Sequence, residues 1–317
     1  MLGLDFFVVD CGVKGGPFAP HDKLLSSRMG EGTADFSQEA AMSRDTAIRA
    51  LESGAQMARQ MATGGANTLC FGEMGIGNTT SAAALMAAFT GLAPQDCAGR
   101  GTGLDDIGVT RKAAVIARAL RKAGPLNDPL DILARFGGFE LAHMAGAMIG
   151  AAHANCAVIV DGFVSGAAFL AAEKLRPHLR DCTFFAHCSA ERGHRKLLDS
   201  IGATPLLDLS MRLGEGTGAA LAIPLLRAAC ASLTDMASFE SAGVSQSKVE
   251  AASSRLTSTT SGKMPLPLSQ DAPRYFEPFD EIKTRQANLP HWEQAGVLYF
   301  VTFRLADSLP RKKTRGH

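Results

Sequence analysis

Asn67-Thr-Leu-Cys-Phe71, then Gly72-Glu-Met-Gly-Ile-Gly-Asn-Thr-Thr80, then the run from Ser81 to Phe89 decide how this chain folds. The first five residues are largely apolar and strand-like, and the last run has a helical pattern. A strand that empties through a glycine loop into a helix is the layout of a phosphate cradle. Glycines let the main chain approach an anion, while free N–H groups and the positive end of the helix dipole stabilise its charge. The spacing Gly72-x-x-x-x-Gly77-Asn78-Thr79 matches a nucleoside-triphosphate loop except that Asn78 stands where the phosphate-gripping lysine belongs. A single phosphate is the better match. The helix end supplies roughly half an elementary charge, and any second cation must come from elsewhere. A dinucleotide fingerprint fits less well, because Thr80 occupies the place of its third glycine.

The same alternation continues outward. A strand, Asp5 to Asp10, ends at Cys11-Gly12, a polar loop covers Gly30 to Ser37, and a helical pattern runs from Gln38 to Thr63 before Gly64-Gly65. Val109, Ala113, Ile116 and Leu120 recur at helical spacing within Asp105 to Lys122, and Gly124-Pro125 closes that pattern. Phe139 to Ala152 reads as a glycine-rich helix. Strand Cys156 to Val160 then delivers Asp161-Gly162, helix Ser165 to Leu175 follows, and strand Thr183 to Ala186 delivers His187-Cys188-Ser189 ahead of helix Arg192 to Ser200. Short apolar strands alternating with helices predict an α/β fold with a mostly parallel, Rossmann-like three-layer sheet. Ligands in such folds collect beyond the carboxyl ends of the strands.

Composition divides the 317 residues. Residues 1–245 hold all seven cysteines and thirty of the thirty-three glycines, with 21 Lys+Arg against 24 Asp+Glu. The remainder holds Trp292, Tyr275 and Tyr299 and is basic, 11 against 7. The expected organisation is a domain over 1–245, a Ser/Thr/Pro-rich linker over 246–288, and a fragment over 289–317 that does not fold independently, so the tail is disordered or extended. The near-neutral first part argues against nucleic acid as its partner. Seven cysteines without a C-x-x-C pair read as reduced thiols of a cytoplasmic protein. The Ala-rich runs around 142–152 and 219–229 read as buried helices rather than membrane spans.

Several polar residues compete for chemistry. Leu213-Gly-Glu-Gly-Thr-Gly218 brackets Glu215 with glycines before the helix Ala219 to Cys230; a lone acid at a helix N-terminus is ordinarily a dipole partner, but small neighbours leave this one accessible. Glu73 carries the same ambiguity. Asp161, at the end of a strand, either pairs with a cation or faces a ligand, because a buried unpaired charge is costly. Lys112, beside an apolar stripe and near Asp105 and Asp106, reads on its own as a solvated lysine. His143, His153 and His187 match no zinc spacing, and no nucleophile elbow is present, so neither a metal site nor covalent catalysis is expected.

GEMGIGNTT at 72–80 and RLGEGTGAALA at 212–222, with VVDCGV at 8–13, GTGLDDIGVTRKAAVIARAL at 101–120, GGFELAHMAGA at 137–147, VDGFVSGAAFLAA at 160–172 and HCSAERGH at 187–194, resemble the nicotinate-nucleotide:dimethylbenzimidazole phosphoribosyltransferases of cobalamin assembly. The resemblance implies a bacterial, cytoplasmic, homodimeric transferase. It would take the small molecules nicotinate mononucleotide and 5,6-dimethylbenzimidazole to α-ribazole 5′-phosphate and nicotinate, without cofactor, magnesium, membrane or nucleic acid. By the same resemblance Gly75, Gly77, Asn78, Lys112 and Ser189 would bind the phosphate and Glu215 would be the general base. Asp161 and Glu73 are candidates for stabilising positive charge at C1′. The family carries an N-terminal helical segment, part of the benzimidazole pocket, ahead of the strand that opens this chain, so a truncated domain is expected. LPHWEQAGVLYFVTFRLADSLP at 289–310 resembles the start of REP-associated tyrosine transposases, without a metal-binding His pair or a catalytic tyrosine in context, and reads as a fusion remnant. Two other functions stay open: a non-catalytic remnant that binds nicotinate mononucleotide, and a nucleic-acid-binding protein acting through the basic tail.

Overall fold

The computed structural model describes residues 2–238, 241–242 and the backbone of 296–305. The expected linker over 246–288 and the flanks of the tail strand lie outside these residues. Strands β1 (Leu4–Asp10), β2 (Leu24–Ser26), β3 (Ala66–Ile76), β4 (Ala157–Val160), β5 (Thr183–Phe185) and β6 (Gly296–Leu305) form one sheet, in the order β2-β1-β6-β3-β4-β5, with every pairing parallel. Helices α1 (Arg44–Thr63), α2 (Asn78–Thr90), α3 (Pro94–Cys97), α4 (Asp106–Ala123), α5 (Pro129–Phe136), α6 (Phe139–His153), α7 (Phe163–Leu175), α8 (Arg192–Ser200) and α9 (Thr217–Asp235) connect or cover them. This is the predicted α/β fold with a parallel sheet. One compact unit comprises Met1–Leu226 and Ala295–His317, and a second comprises Arg227–Gln294.

Alternation along the strands sorts the core into two layers. Leu69 and Phe71 of β3, Val158 and Val160 of β4 and Phe185 join the larger cluster with α2, α6 and α7. Cys70, Ile159 and Ala186, the residues between, join the smaller cluster with Ala219, Ala222 and Ile223 of α9. A parallel strand buried on both faces has this continuous apolar character. The expected burial of the last helix holds for one face only: Gly218, Ala219, Ala222 and Ile223 are buried, while Leu221 and Leu225 are exposed. By length and composition alone α9 could also cross a membrane.

Several elements differ from the sequence reading. The first helix starts at Arg44, not Gln38, because Ser43 caps it, its hydroxyl accepting from the Thr46 N–H at 3.1 Å. β3 runs on through the glycines to Ile76, where β6 pairs with it. Helix α5 has no counterpart in the sequence reading, although Asp128 is its N-cap, accepting from Leu130 N–H at 2.8 Å, and Pro129 opens it.

Candidate active site

All of the candidate groups gather at the carboxyl edge of the sheet. Gly77, left-handed at φ 94°, turns the chain from β3 into α2. Asn78, Thr79 and Thr80 therefore occupy the first turn, where helix amides face an anion. The side chain of Asn78 does not line the cradle outward. It is buried, and its Nδ2 donates to Glu73 Oε2 at 2.5 Å. Gly75 lies close against that amide: a Cβ there would sit 2.3 Å from Asn78 Nδ2.

A cation does reach the cradle helix, that of Lys112. Its α4 position is 6 % exposed, which corrects the solvated reading, and Nζ donates to Thr79 Oγ1 at 2.8 Å and to the Gly99 carbonyl at 3.2 Å. An ammonium with neutral acceptors only is poorly compensated in a buried site. Burial pulls its pKa down to about 8, against a weaker opposing pull from Glu191. Glu191 in turn accepts from the Gly101 N–H through both oxygens, at 3.1 and 3.2 Å, holding the 99–101 loop against Lys112.

Glu215 adopts φ 64°, a left-handed conformation unusual for a side chain with a Cβ, and the residue is exposed. Its N–H donates to the Glu73 carbonyl at 3.0 Å. Gly72 and Gly216 touch so closely that a Cβ on Gly72 would stand 2.1 Å from Gly216 N. The base candidate and the cradle strand thus share one wall. Glu73 itself is held protonated near neutrality: burial first, then the negative fields of Glu140, Asp161 and Glu215, raise its pKa to about 8 against the Asn78 hydrogen bond.

Asp161 is held by main-chain amides. Its carboxylate, 3 % exposed, accepts from Ala219 N–H at 2.8 Å and also from the amides of Gly218 and Gly216. Burial raises its pKa, and His187 and the amides at the start of α9 oppose that rise. Asp161 anchors the Glu215 turn. Its Oδ1 also lies 3.7 Å from His187 Nδ1, and that ring packs so tightly that a Cβ on Gly218 would meet Nδ1 at 1.9 Å. Ser189 follows β5. Its N–H donates to His194 Nδ1 at 2.8 Å, and its hydroxyl accepts from Glu191 N–H at 3.2 Å, leaving the hydroxyl proton to donate. Burial, His187 and Arg195 hold His194 down at about 3, so its imidazole is neutral and can accept.

Three participants went unread in the sequence: Glu191, His194 and Glu140. The first two stand in HCSAERGH, where a spacing of three marks a turn into α8. Glu140 looks like any acid in a first helical turn, and nothing in its neighbours signals burial. Among the described residues no group of three or more His, Cys, Asp or Glu could hold a metal ion.

The chain is similar to proteins of one family. Residues 1–244 match the family described as phosphoribosyltransferase. The nicotinate-nucleotide–dimethylbenzimidazole phosphoribosyltransferase of Cupriavidus necator is 50 % identical over 243 residues, 77 % of this chain and 70 % of the relative. That of Photobacterium profundum is 50 % identical over 238 residues, covering 75 % and 69 %. The crystal structure of CobT from Thermus thermophilus superposes with a TM-score of 0.72 at 46 % identity, over 76 % of this chain and 72 % of that one.

Proposed function

This chain belongs to the phosphoribosyltransferase family of the nicotinate-nucleotide–dimethylbenzimidazole enzymes, and from that premise we propose that it transfers the phosphoribosyl group of nicotinate mononucleotide to 5,6-dimethylbenzimidazole. One observation carries the reading: the Glu215 turn is hydrogen-bonded to the strand that leads into the anion cradle, with a buried lysine on the first turn of the cradle helix. A mononucleotide held by its phosphate on α2 and Lys112 would extend its ribose along β3 toward Glu215.

The chemistry then needs one proton acceptor. Glu215 takes the N–H proton of the benzimidazole while the other ring nitrogen attacks C1′, and nicotinate leaves on the opposite face with inversion. The pyridinium nitrogen departs as a neutral ring nitrogen, so no acid is required. Asp161 holds the Glu215 turn, and the carbonyl dipole of the neutral Glu73 carboxyl would stabilise the positive charge that grows at C1′. Ser189 adds a hydroxyl donor to the phosphate. We further read the enzyme as a cytoplasmic homodimer, and the 289–310 stretch as an appended remnant that lends a strand and no DNA chemistry.

The test is formation of α-ribazole 5′-phosphate by the purified chain. Glu215→Gln is expected to lower kcat by roughly a hundredfold to ten-thousandfold while the nucleotide Kd, read by calorimetry, stays within about twofold. Equal loss of both would remove Glu215 from the base role.

A further inference from the structure

His187 takes no part in the transfer chemistry, yet it stands at the carboxyl edge of the sheet, just beyond β5. Its imidazole is fully buried, and neither ring nitrogen has a hydrogen-bond partner among the described residues. An unsatisfied buried polar group is costly, and an apolar side chain would fill the space without that cost. The ring is also fixed in place by its main chain. Ala186 N–H donates to the Val160 carbonyl at 2.8 Å, Leu207 N–H to that of Ala186 at 3.0 Å, and Cys188 N–H to that of Leu207 at 2.8 Å.

What rests on this ring is the turn that carries Glu215. Gly218 lies against it so closely that a Cβ there would stand 1.9 Å from Nδ1, 2.5 Å from Cε1 and 2.7 Å from Cγ. A Cβ on Gly162 would fall 3.4 Å from Cε1, and the His194 ring stands edge-on with centroids 6.2 Å apart. Nδ1 faces Asp161 Oδ1 at 3.7 Å, and that carboxylate accepts from the amides of Gly216, Gly218 and Ala219. Glu215 and Gly216 hold φ 64° and 76°, two left-handed residues in succession. Such a backbone persists only where its surroundings over-determine it. Here the Glu73 carbonyl fixes one end through Glu215 N–H, while Asp161 and His187 fix the other.

We propose that His187 is a positioning residue for the Glu215 base: its ring is the floor under the first turn of α9, and an Nδ1–H edge turned to Asp161 keeps that carboxylate aimed at the amides of the turn. This rests on the base role of Glu215 given above. A bare Nδ1 lone pair at this place would repel the carboxylate, whereas an N–H dipole attracts it and, at 3.7 Å, does so without drawing it off the amides. No contact with substrate is involved, since the ring is wholly enclosed. A displacement of about 1 Å at a reacting group can cost about a hundredfold in rate. A turn that slips on its floor therefore loses proton transfer first, while the nucleotide stays held by α2 and Lys112.

Three replacements in the full chain separate shape from polarity: asparagine puts an N–H near the place of Nδ1, glutamine puts one near that of Nε2, and leucine offers none. Turnover of 5,6-dimethylbenzimidazole gives kcat, and calorimetry with nicotinate mononucleotide gives Kd. His187→Leu and His187→Gln are expected to lower kcat by about tenfold to a hundredfold and His187→Asn by at most about threefold, with Kd within about twofold throughout. In a Glu215→Gln background His187→Leu is expected to change the residual rate by less than about twofold, because groups that act as a unit are not additive. Gly218→Ala, which drives a methyl against the ring from the other side, is expected to match His187→Leu. Equal loss in the asparagine and leucine variants overturns the proposal. So does an effect that adds fully to that of Glu215→Gln, or a nucleotide affinity that falls in step with kcat, since the ring would then be mere scaffold. If the His187 variants do not fold, Gly218→Ala decides: wild-type kcat overturns the proposal, and a lowered kcat with retained Kd upholds it. Wild type without turnover, or Glu215→Gln with unchanged kcat, would instead remove the reading of the site itself, and this proposal with it.

Discussion

Lys112 and Glu73 set the pH behaviour of the site, and both titrate near 8. Below that value Lys112 is charged and Glu73 neutral, the combination that favours an anion. As pH rises through about 8 the free site loses the lysine proton and gains the glutamate charge, and both changes oppose phosphate binding. A bound phosphate raises both pKa values, so binding in that range takes up protons. Nucleotide affinity is therefore expected to be flat near about pH 7 and to fall by up to tenfold per pH unit and per group above about 8. Titrating Kd by calorimetry checks it. Lys112→Met should weaken binding at neutral pH and leave only the shallower Glu73 dependence, and Glu73→Gln should leave only that of Lys112. An affinity that rises between about pH 8 and 9 would contradict the arrangement. The sequence named both residues as candidates, yet it could not reveal that Asn78 turns inward to Glu73, because a helix-capping residue and a ligand residue look alike until the side chain has a direction.

At the scale of elements, two helices touch through their backbones. A Cβ on Gly146 of α6 would stand 1.9 Å from the Leu51 carbonyl of α1, one on Gly150 2.4 Å from that of Ala55, and one on Gly54 of α1 2.0 Å from that of His143. A wider side chain there must push the helices apart. Gly146→Val is expected to cost about 2–3 kcal/mol, seen as a lower denaturant midpoint with an unchanged slope; a wild-type midpoint would mean that the helices separate without penalty. The glycine-rich composition of Phe139 to Ala152 is legible as a helix, but its partner is not, since close approach is a property of two segments distant in sequence. Helices with a regular apolar stripe, such as Asp106–Ala123, show their ends in the sequence to within a residue. Helix α5 escapes because Gly124-Pro125 draws attention from the Asp128-Pro129 cap a few residues later.

At the scale of the molecule, the sheet depends on a strand from far along the chain. β6 pairs with β1 from Leu4 to Asp10 and with β3 from Ala66 to Ile76, so β1 and β2 reach the rest of the sheet only through it. The sequence reading expects the tail to be disordered or extended and offers no means of seating a strand from it. Strand order is set by which edges remain open once the other crossovers are made, and no local pattern records that. Without β6, the inner edges of β1 and β3 would be bare along their whole length, and two open parallel edges are both unstable and sticky. A chain ending at Ser245 is therefore expected to show amide exchange at Leu4–Asp10 and Ala66–Ile76 that is faster by orders of magnitude than in the full chain, together with concentration-dependent aggregation. Addition of a peptide spanning Gly296–Leu305 should restore protection at both strands at once, as β-strand addition does for an open sheet. Restoration at β3 alone would place the peptide on one edge without bridging the gap, and protection in the shortened chain equal to that of the full one would show that β1 and β3 do not need the tail strand between them. The site makes the same experiment functional. Glu73 lies within the part of β3 that pairs with β6, opposite Thr302 in the register, so loss of the bridging strand should loosen the Glu73–Glu215 contact and reduce nucleotide affinity in step with exchange protection.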